Sequence, residues 1–185
     1  MGSLSLEIKA RCPDPNRIRK ILLAQGASFK GLDRQVDTYF CVPSGRLKLR
    51  EGNIENALIY YKRADQKKSK KCDAMLFLCR KKNSLKKLLT GALGVLTVVD
   101  KKREIYFIQN AKFHIDRVKR LGNFVEIEVF GRKGSSSVAK LRGQCESYRK
   151  LLGIRAQELV RDSYSDQLLR LKSIKNRDSG LNPRF

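Results

Sequence analysis

Acidic and basic residues recur in this chain at the spacing of one strand face. In FVEIEVF, Glu126 and Glu128 stand two residues apart. Side chains at i and i+2 of a strand point the same way. Two like charges then share a face and gain nothing from each other. A divalent cation held through oxygens would resolve that repulsion. The opening run SLSLEIKA sets Glu7 and Lys9 together, opposite Leu4, Leu6 and Ile8. RLKLRE sets Arg46, Lys48 and Arg50 opposite Leu47 and Leu49, and ALIYYKR groups Leu58, Tyr60 and Lys62. DKKREIYF puts Lys101 and Arg103 with Ile105, and KFHID puts Lys112, His114 and Asp116 opposite Phe113 and Ile115. Arg and Lys bind phosphoryl oxygens, and carboxylates hold Mg2+ or Mn2+. The mixed set suits a metal-bound polyphosphate. His114 reads as a hydrogen-bonded wall residue beside Asp116 rather than a general base.

The elements that must position these residues follow from periodicity. Apolar or aromatic runs at 35–42, 46–51, 57–63, 74–80, 95–100, 103–109, 112–117 and 124–130 read as strands. Asp14-Pro15 starts a helix that Gly26 stops. Residues 84–93, 136–152 and 159–171 carry helical spacing, 64–71 (ADQKKSKK) reads as a charged hairpin loop, and 131–137 as a polar loop. This predicts an α+β fold with a largely antiparallel sheet. An open sheet with one wet face is one solution. The amphipathic helices favour another, because they need an outward apolar sheet face to cover. About eight strands can close into a barrel just wide enough for side chains or one small ligand. The expectation is a closed eight-stranded antiparallel β-barrel with helices packed outside. Its lumen then holds Glu7, Lys9, Lys48, Arg50, Lys62, Arg103, Asp116, Glu126 and Glu128. Unit charges about 4 Å apart interact by roughly 4 kcal/mol at an effective dielectric of 20, so such a lumen calls for an anion and a cation. Residues 1–171 read as one domain and 172–185 as a flexible tail.

The totals agree. Lys and Arg number 41 against 18 Asp and Glu, a net charge of +23. That excess points to polyanionic partners. Five scattered cysteines, no CxxC pair and one histidine argue against a disulfide framework and a zinc site. There is no apolar run of membrane-spanning length and no secretory signal pattern, so the expected location is cytoplasmic and no membrane partner is expected. No RNP, zinc-finger or recognition-helix pattern is present, which makes nucleic acid a minority partner.

LEIKA at the start resembles the ExExK signature of the CYTH superfamily, the triphosphate tunnel metalloenzymes. LREG (49–52), the Lys62 strand, DKKREIYF (100–107), LGNFVEIE (121–128) and SYSDQLL (163–169) follow in the order of the class IV adenylate cyclase-like branch. The resemblance implies a tunnel that binds a triphosphate and Mg2+ or Mn2+. By motif, Glu7, Glu126 and Glu128 would hold metal. Lys9, Lys48, Arg50, Lys62, Lys101 and Arg103 would cradle phosphates, and Asp116, with Lys62 and Arg103, would serve catalysis. The implied activity is conversion of ATP to cyclic AMP and pyrophosphate, or hydrolysis of an organic or inorganic triphosphate. Three departures stand out: Ser5 replaces the first Glu of ExExK, the preceding His-Phe pair of the cyclases is missing, and there is no Trp. The alternatives are a non-catalytic phosphate- or nucleotide-binding module and an RNA-binding protein using the basic exterior. A homodimer is left open.

Overall fold

The computed structural model describes residues 3–62, 74–80, 84–132 and 137–178. The elements are β1 (Ser3–Arg11), α1 (Pro15–Ala24), β2 (Ser28–Phe40), β3 (Arg46–Glu51), β4 (Ala57–Tyr61), β5 (Ala74–Leu78) and α2 (Leu85–Leu93). They continue with β6 (Val95–Ile108), β7 (Ala111–Val118), β8 (Gly122–Arg132), α3 (Val138–Leu151), a 3-10 turn (Ala156–Glu158) and α4 (Tyr164–Asp178). Local chemistry sets several bounds. Asp14 caps α1 by accepting from the Arg17 N–H at 3.0 Å, with Pro15 at the first helical position. Ser137 caps α3 through the Lys140 N–H at 3.1 Å.

Three elements differ from the sequence expectation. The runs 95–100 and 103–109 are one continuous strand, β6. The charged triplet at 100–102 looked like a break, but it carries the alternation straight through: Lys101 is buried while Asp100 and Lys102 are exposed. β2 starts at Ser28, with a register shift between Phe29 and Gly31, which has φ +137°. The last helix starts later than 159, because Leu159 and Val160 are extended against β1. It also runs on to Asp178, into the span read as a tail. The expected loop at 64–71 lies outside the described residues, as do 133–136 of the polar loop.

All eight strands form one antiparallel sheet in the order β1-β8-β7-β6-β2-β3-β4-β5. It curls enough for Lys112 on β7 to reach Glu55, in the loop after β3, at 2.7 Å. The expected closure is not found: among the described residues β1 and β5 do not pair, and the sheet is a half-barrel rather than a closed barrel. The edge of β1 is taken by the segment before α4. Leu159 bridges Ala10, and the Val160 N–H donates to the Lys9 carbonyl at 2.8 Å. At the other edge β5 is only five residues long.

The faces separate as their alternation predicts. The convex side of β1, β7 and β8 is apolar and buries Leu6, Ala10, Phe113, Ile115, Val125, Ile127 and Val129 against Ile18 and Leu22 of α1 and Leu141 and Cys145 of α3. The concave side is charged. At one end it is plugged by α4, whose Tyr164 and Leu168 pack with Tyr39, Val99, Val118 and Phe124.

Candidate phosphate and metal site

Cross-strand register assembles the concave face row by row. Arg11, Phe124, Asp116, Arg103 and Asp33 form one row; Lys9, Glu126, His114 and Ile105 the next; Glu7, Glu128, Lys112 and Phe107 the third. Asp37, Arg50 and Ala57 align across β2, β3 and β4, as do Tyr39, Lys48 and Ile59. Lys9, Lys48, Arg50, Lys101, Arg103, Asp116, Glu126 and Glu128 therefore share this face, and Glu7 joins them on β1.

Lys62 does not. The same register puts Ala57, Ile59 and Tyr61 on the concave side, so Leu58 and Tyr60 point outward. Lys62 follows the end of β4 and is exposed. Leu58 and Tyr60, with which alternation grouped it, occupy the face opposite Lys48 and Arg50. One strand read alone does not say which of its faces is concave.

The cations outnumber the carboxylates that pair with them. Asp37 takes Lys48 at 3.1 Å, Arg50 at 2.8 Å and Lys101 at 2.9 Å. Burial alone would raise its pKa, but these three cations hold it well below the carboxylate range. Glu55 accepts from Arg50 at 2.8 Å and Lys112 at 2.7 Å. Against the effect of its burial, Lys112 and Arg50 lower its pKa to about 2. Glu126 accepts from Lys9 at 3.2 Å, Arg103 at 2.6 Å and His114 Nδ1 at 3.2 Å. Arg103 also grips Asp116 through two nitrogens, and the Tyr164 hydroxyl donates to the same carboxylate at 2.8 Å. The Lys9 ammonium lies 4.2 Å from the centre of the Tyr164 ring. Burial and the crowding of Arg50, Arg103 and Lys48 push Lys101 down to about 7, although Asp37 opposes the shift. Burial, followed by the Arg103 charge, lowers His114 to about 4, so the ring is neutral. With Nδ1 donating to Glu126, its Nε2 has no hydrogen-bond partner among the described residues. The wall role expected of His114 fits this geometry.

Glu7 and Glu128 face each other directly across β1 and β8. Like charges directly opposite destabilise a strand pair. Burial, followed by Glu7, raises the Glu128 pKa, with Ser5 hydrogen bonding to it in partial relief. A pair of carboxylates fits a hard divalent cation, which takes one or two of them together with water and substrate phosphate. Glu126, expected as a third ligand, is instead turned to Lys9, Arg103 and His114. Among the described residues no group of three or more His, Cys, Asp or Glu is gathered for a metal.

Sequence reasoning put Lys112 on the charged face of its strand but not among the phosphate ligands, and it missed Asp37, Glu55 and the α4 plug as parts of the site. The alternation Gln35, Asp37, Tyr39 in QVDTYF carried a signal for Asp37. Glu55 had none, because a loop places it. Asp33 accepts the N–H groups of Asn53, Ile54 and Glu55 at 2.7, 2.9 and 3.0 Å and shapes that loop. Gly52 is required beside it, since a Cβ there would meet Asp33 Oδ1 at 2.6 Å. Tyr164 was read as core packing, and its hydroxyl contact with Asp116 adds a polar role.

The CYTH domain family model matches residues 4–164. No curated protein matches the sequence. Among solved structures, the PH1012 protein of Pyrococcus horikoshii is 24% identical with a TM-score of 0.77, over 88% of this chain and 98% of that one. A candidate adenylate cyclase from Vibrio parahaemolyticus is 17% identical with a TM-score of 0.74, over 91% and 99%. A candidate adenylyl cyclase from Hippeastrum with a dominant triphosphatase activity is 15% identical with a TM-score of 0.61, over 91% and 96%. At these identities the likeness is one of fold. No helix among the described residues is long and apolar enough to cross a membrane.

Proposed function

Because this chain belongs to the CYTH domain family, we propose that it is a divalent-metal-dependent enzyme acting on a triphosphate held along the concave face. One observation carries the reading: Lys9, Lys48, Arg50, Lys101, Arg103 and Lys112 converge on a few shared carboxylates, beside the Glu7–Glu128 pair. Cations that share carboxylates have donors to spare for phosphoryl oxygens. Preorganised positive groups stabilise the charge that builds up on a transferring phosphoryl group.

Glu7 and Glu128 would hold the metal, which would supply Lewis-acid polarisation of a phosphoryl oxygen. Lys48, Arg50, Lys101 and Arg103 line the chain of phosphates, and Lys9 holds the end nearest Glu7. Two groups are candidates for taking the nucleophile's proton. Asp116 is committed to Arg103 and Tyr164. Lys101, with its pKa near 7, exchanges a proton readily at neutral pH. With ATP and a ribose 3′-hydroxyl in line, the same groups would give cyclic AMP and pyrophosphate.

A second reading, a binding module without turnover, is favoured by Ser5 and by the diversion of Glu126. One screen separates the two. ATP, GTP, thiamine triphosphate and tripolyphosphate are incubated with Mg2+ or Mn2+ and assayed for orthophosphate and cyclic nucleotide. The enzyme reading expects turnover of at least one, abolished in Glu7→Ala and Glu128→Ala. A melting-temperature rise without turnover supports the binding module. Neither turnover nor stabilisation by any of the four would reject both.

A further inference from the structure

The convex face carries a second set of cations, separate from the trough. Arg34 pairs with Lys102 in the β2–β6 register, and Lys102 with Arg117 in the β6–β7 register. The three side chains therefore stand side by side across three strands, and all are exposed. None makes an ion pair among the described residues. The two carboxylates flanking Lys102 on its own strand are used elsewhere: Glu104 by Arg19 at 2.6 Å and by the Tyr106 hydroxyl at 2.7 Å, Asp100 by Lys119 at 3.9 Å. Lys119 and Arg120 add exposed charge beyond Arg117. The helices that bury the convex face, α1 and α3, lie over β1, β7 and β8 and leave this row uncovered.

Like charges directly opposite one another work against strand pairing. Here they sit three abreast in the middle of a sheet, and among the described residues no carboxylate forms an ion pair with them. Strands are about 4.8 Å apart, so the row spans roughly 10 Å. That is wide for one phosphate and suits successive phosphates of an extended backbone. Farther along β2 on the same face, Phe29 is 52% exposed, its ring 4.9 Å from that of Tyr106. Its partner Tyr106 lies four residues along β6 from Lys102, roughly 13 Å at strand rise; an exposed aromatic ring at that remove from a cationic track suits a single strand, bases on the ring and backbone on the charges.

We infer that the convex face of β2, β6 and β7 binds single-stranded nucleic acid, with Arg34, Lys102 and Arg117 on the phosphates and Phe29 against a base. The test is fluorescence anisotropy with a 5′-hydroxyl oligouridine of about fifteen nucleotides, between about 50 and 200 mM salt. Lacking a terminal triphosphate, this probe does not report on the trough. The triple variant R34Q/K102Q/R117Q should bind at least tenfold more weakly at low salt. Its slope of log affinity against log salt should be shallower by about 2, at roughly 0.7 per lost phosphate contact. Phe29→Ala should weaken binding about tenfold with the slope unchanged. Glu7→Ala should bind the oligonucleotide as the parent does. The inference is overturned if the triple variant keeps the parental affinity and slope. It is equally overturned if the parent ignores the oligonucleotide, whether or not it binds phosphatidylserine vesicles.

Discussion

Glu126 is the residue on which most of the buried charge balance turns. Lys9, Arg103 and His114 all reach it, and all four side chains are buried. Removing one partner of a buried ionic group leaves the others without compensation, at about 3–5 kcal/mol. Glu126→Gln should lose roughly that much stability in urea denaturation, and a loss below about 1 kcal/mol would contradict the pairing. His114 gives a prediction in pH. Its pKa is about 4 in the fold against an ordinary 6.5. Between those values the unfolded chain binds the proton and the fold does not. Stability therefore falls as pH drops from 6.5 to 4, by an amount on the order of 3 kcal/mol. His114→Gln should flatten that part of the profile, and an unchanged slope would refute the neutral buried ring. Glu55 acts in a lower window. Its pKa of about 2 is depressed from 4.5, so its contribution is whole above 4.5 and is lost as pH falls toward 2.

At the scale of elements, the two faces of the sheet have separable duties. α1 buries Leu22 completely on the convex side, in a core cluster drawn from the outward-facing positions of β1, β7 and β8. Leu22→Ala should cost about 2–5 kcal/mol of stability through the lost side chain and the cavity it leaves. It should leave the affinity for tripolyphosphate, read by calorimetry on the folded protein, within twofold of the parent. A large loss of affinity would mean that the faces are coupled. The plug helix α4 belongs to the other side. Its first turn is built into the trough floor, with Ser165 buried, Arg46 reaching Asp166 at 2.5 Å, and Tyr164 on Asp116.

For the whole molecule, Lys9, Lys48, Arg50, Lys101, Arg103 and Lys112 share the four carboxylates that pair with them, Asp37, Glu55, Asp116 and Glu126, and an anion would take up their spare donors. A ligand present at 100 times its Kd stabilises a fold by about 2.7 kcal/mol if the unfolded chain does not bind it. Tripolyphosphate should raise the melting temperature by several degrees, less so at high salt, and Lys48→Met with Arg50→Met should remove most of the rise. An equal rise in that double variant would place the anion elsewhere.

Much of this architecture was legible beforehand, and for a physical reason. Strand side chains alternate strictly, so each run declared its own charged and apolar faces, and the charged faces of β1, β3, β6, β7 and β8 came together as read. The family motifs then fixed the order of those runs. Alternation within a strand says nothing about which face becomes concave or whether the sheet's two ends meet. Those depend on pairing partners far away in the chain. Lys62, past the end of β4, is exposed, and Leu159 and Val160 take the edge of β1. Cross-strand register drew Glu126 away from Glu128 toward Arg103 and His114, and set three cations abreast on the outside. Charge and periodicity are local properties and can be read from the sequence; the curl and the neighbours are decided only when distant strands meet.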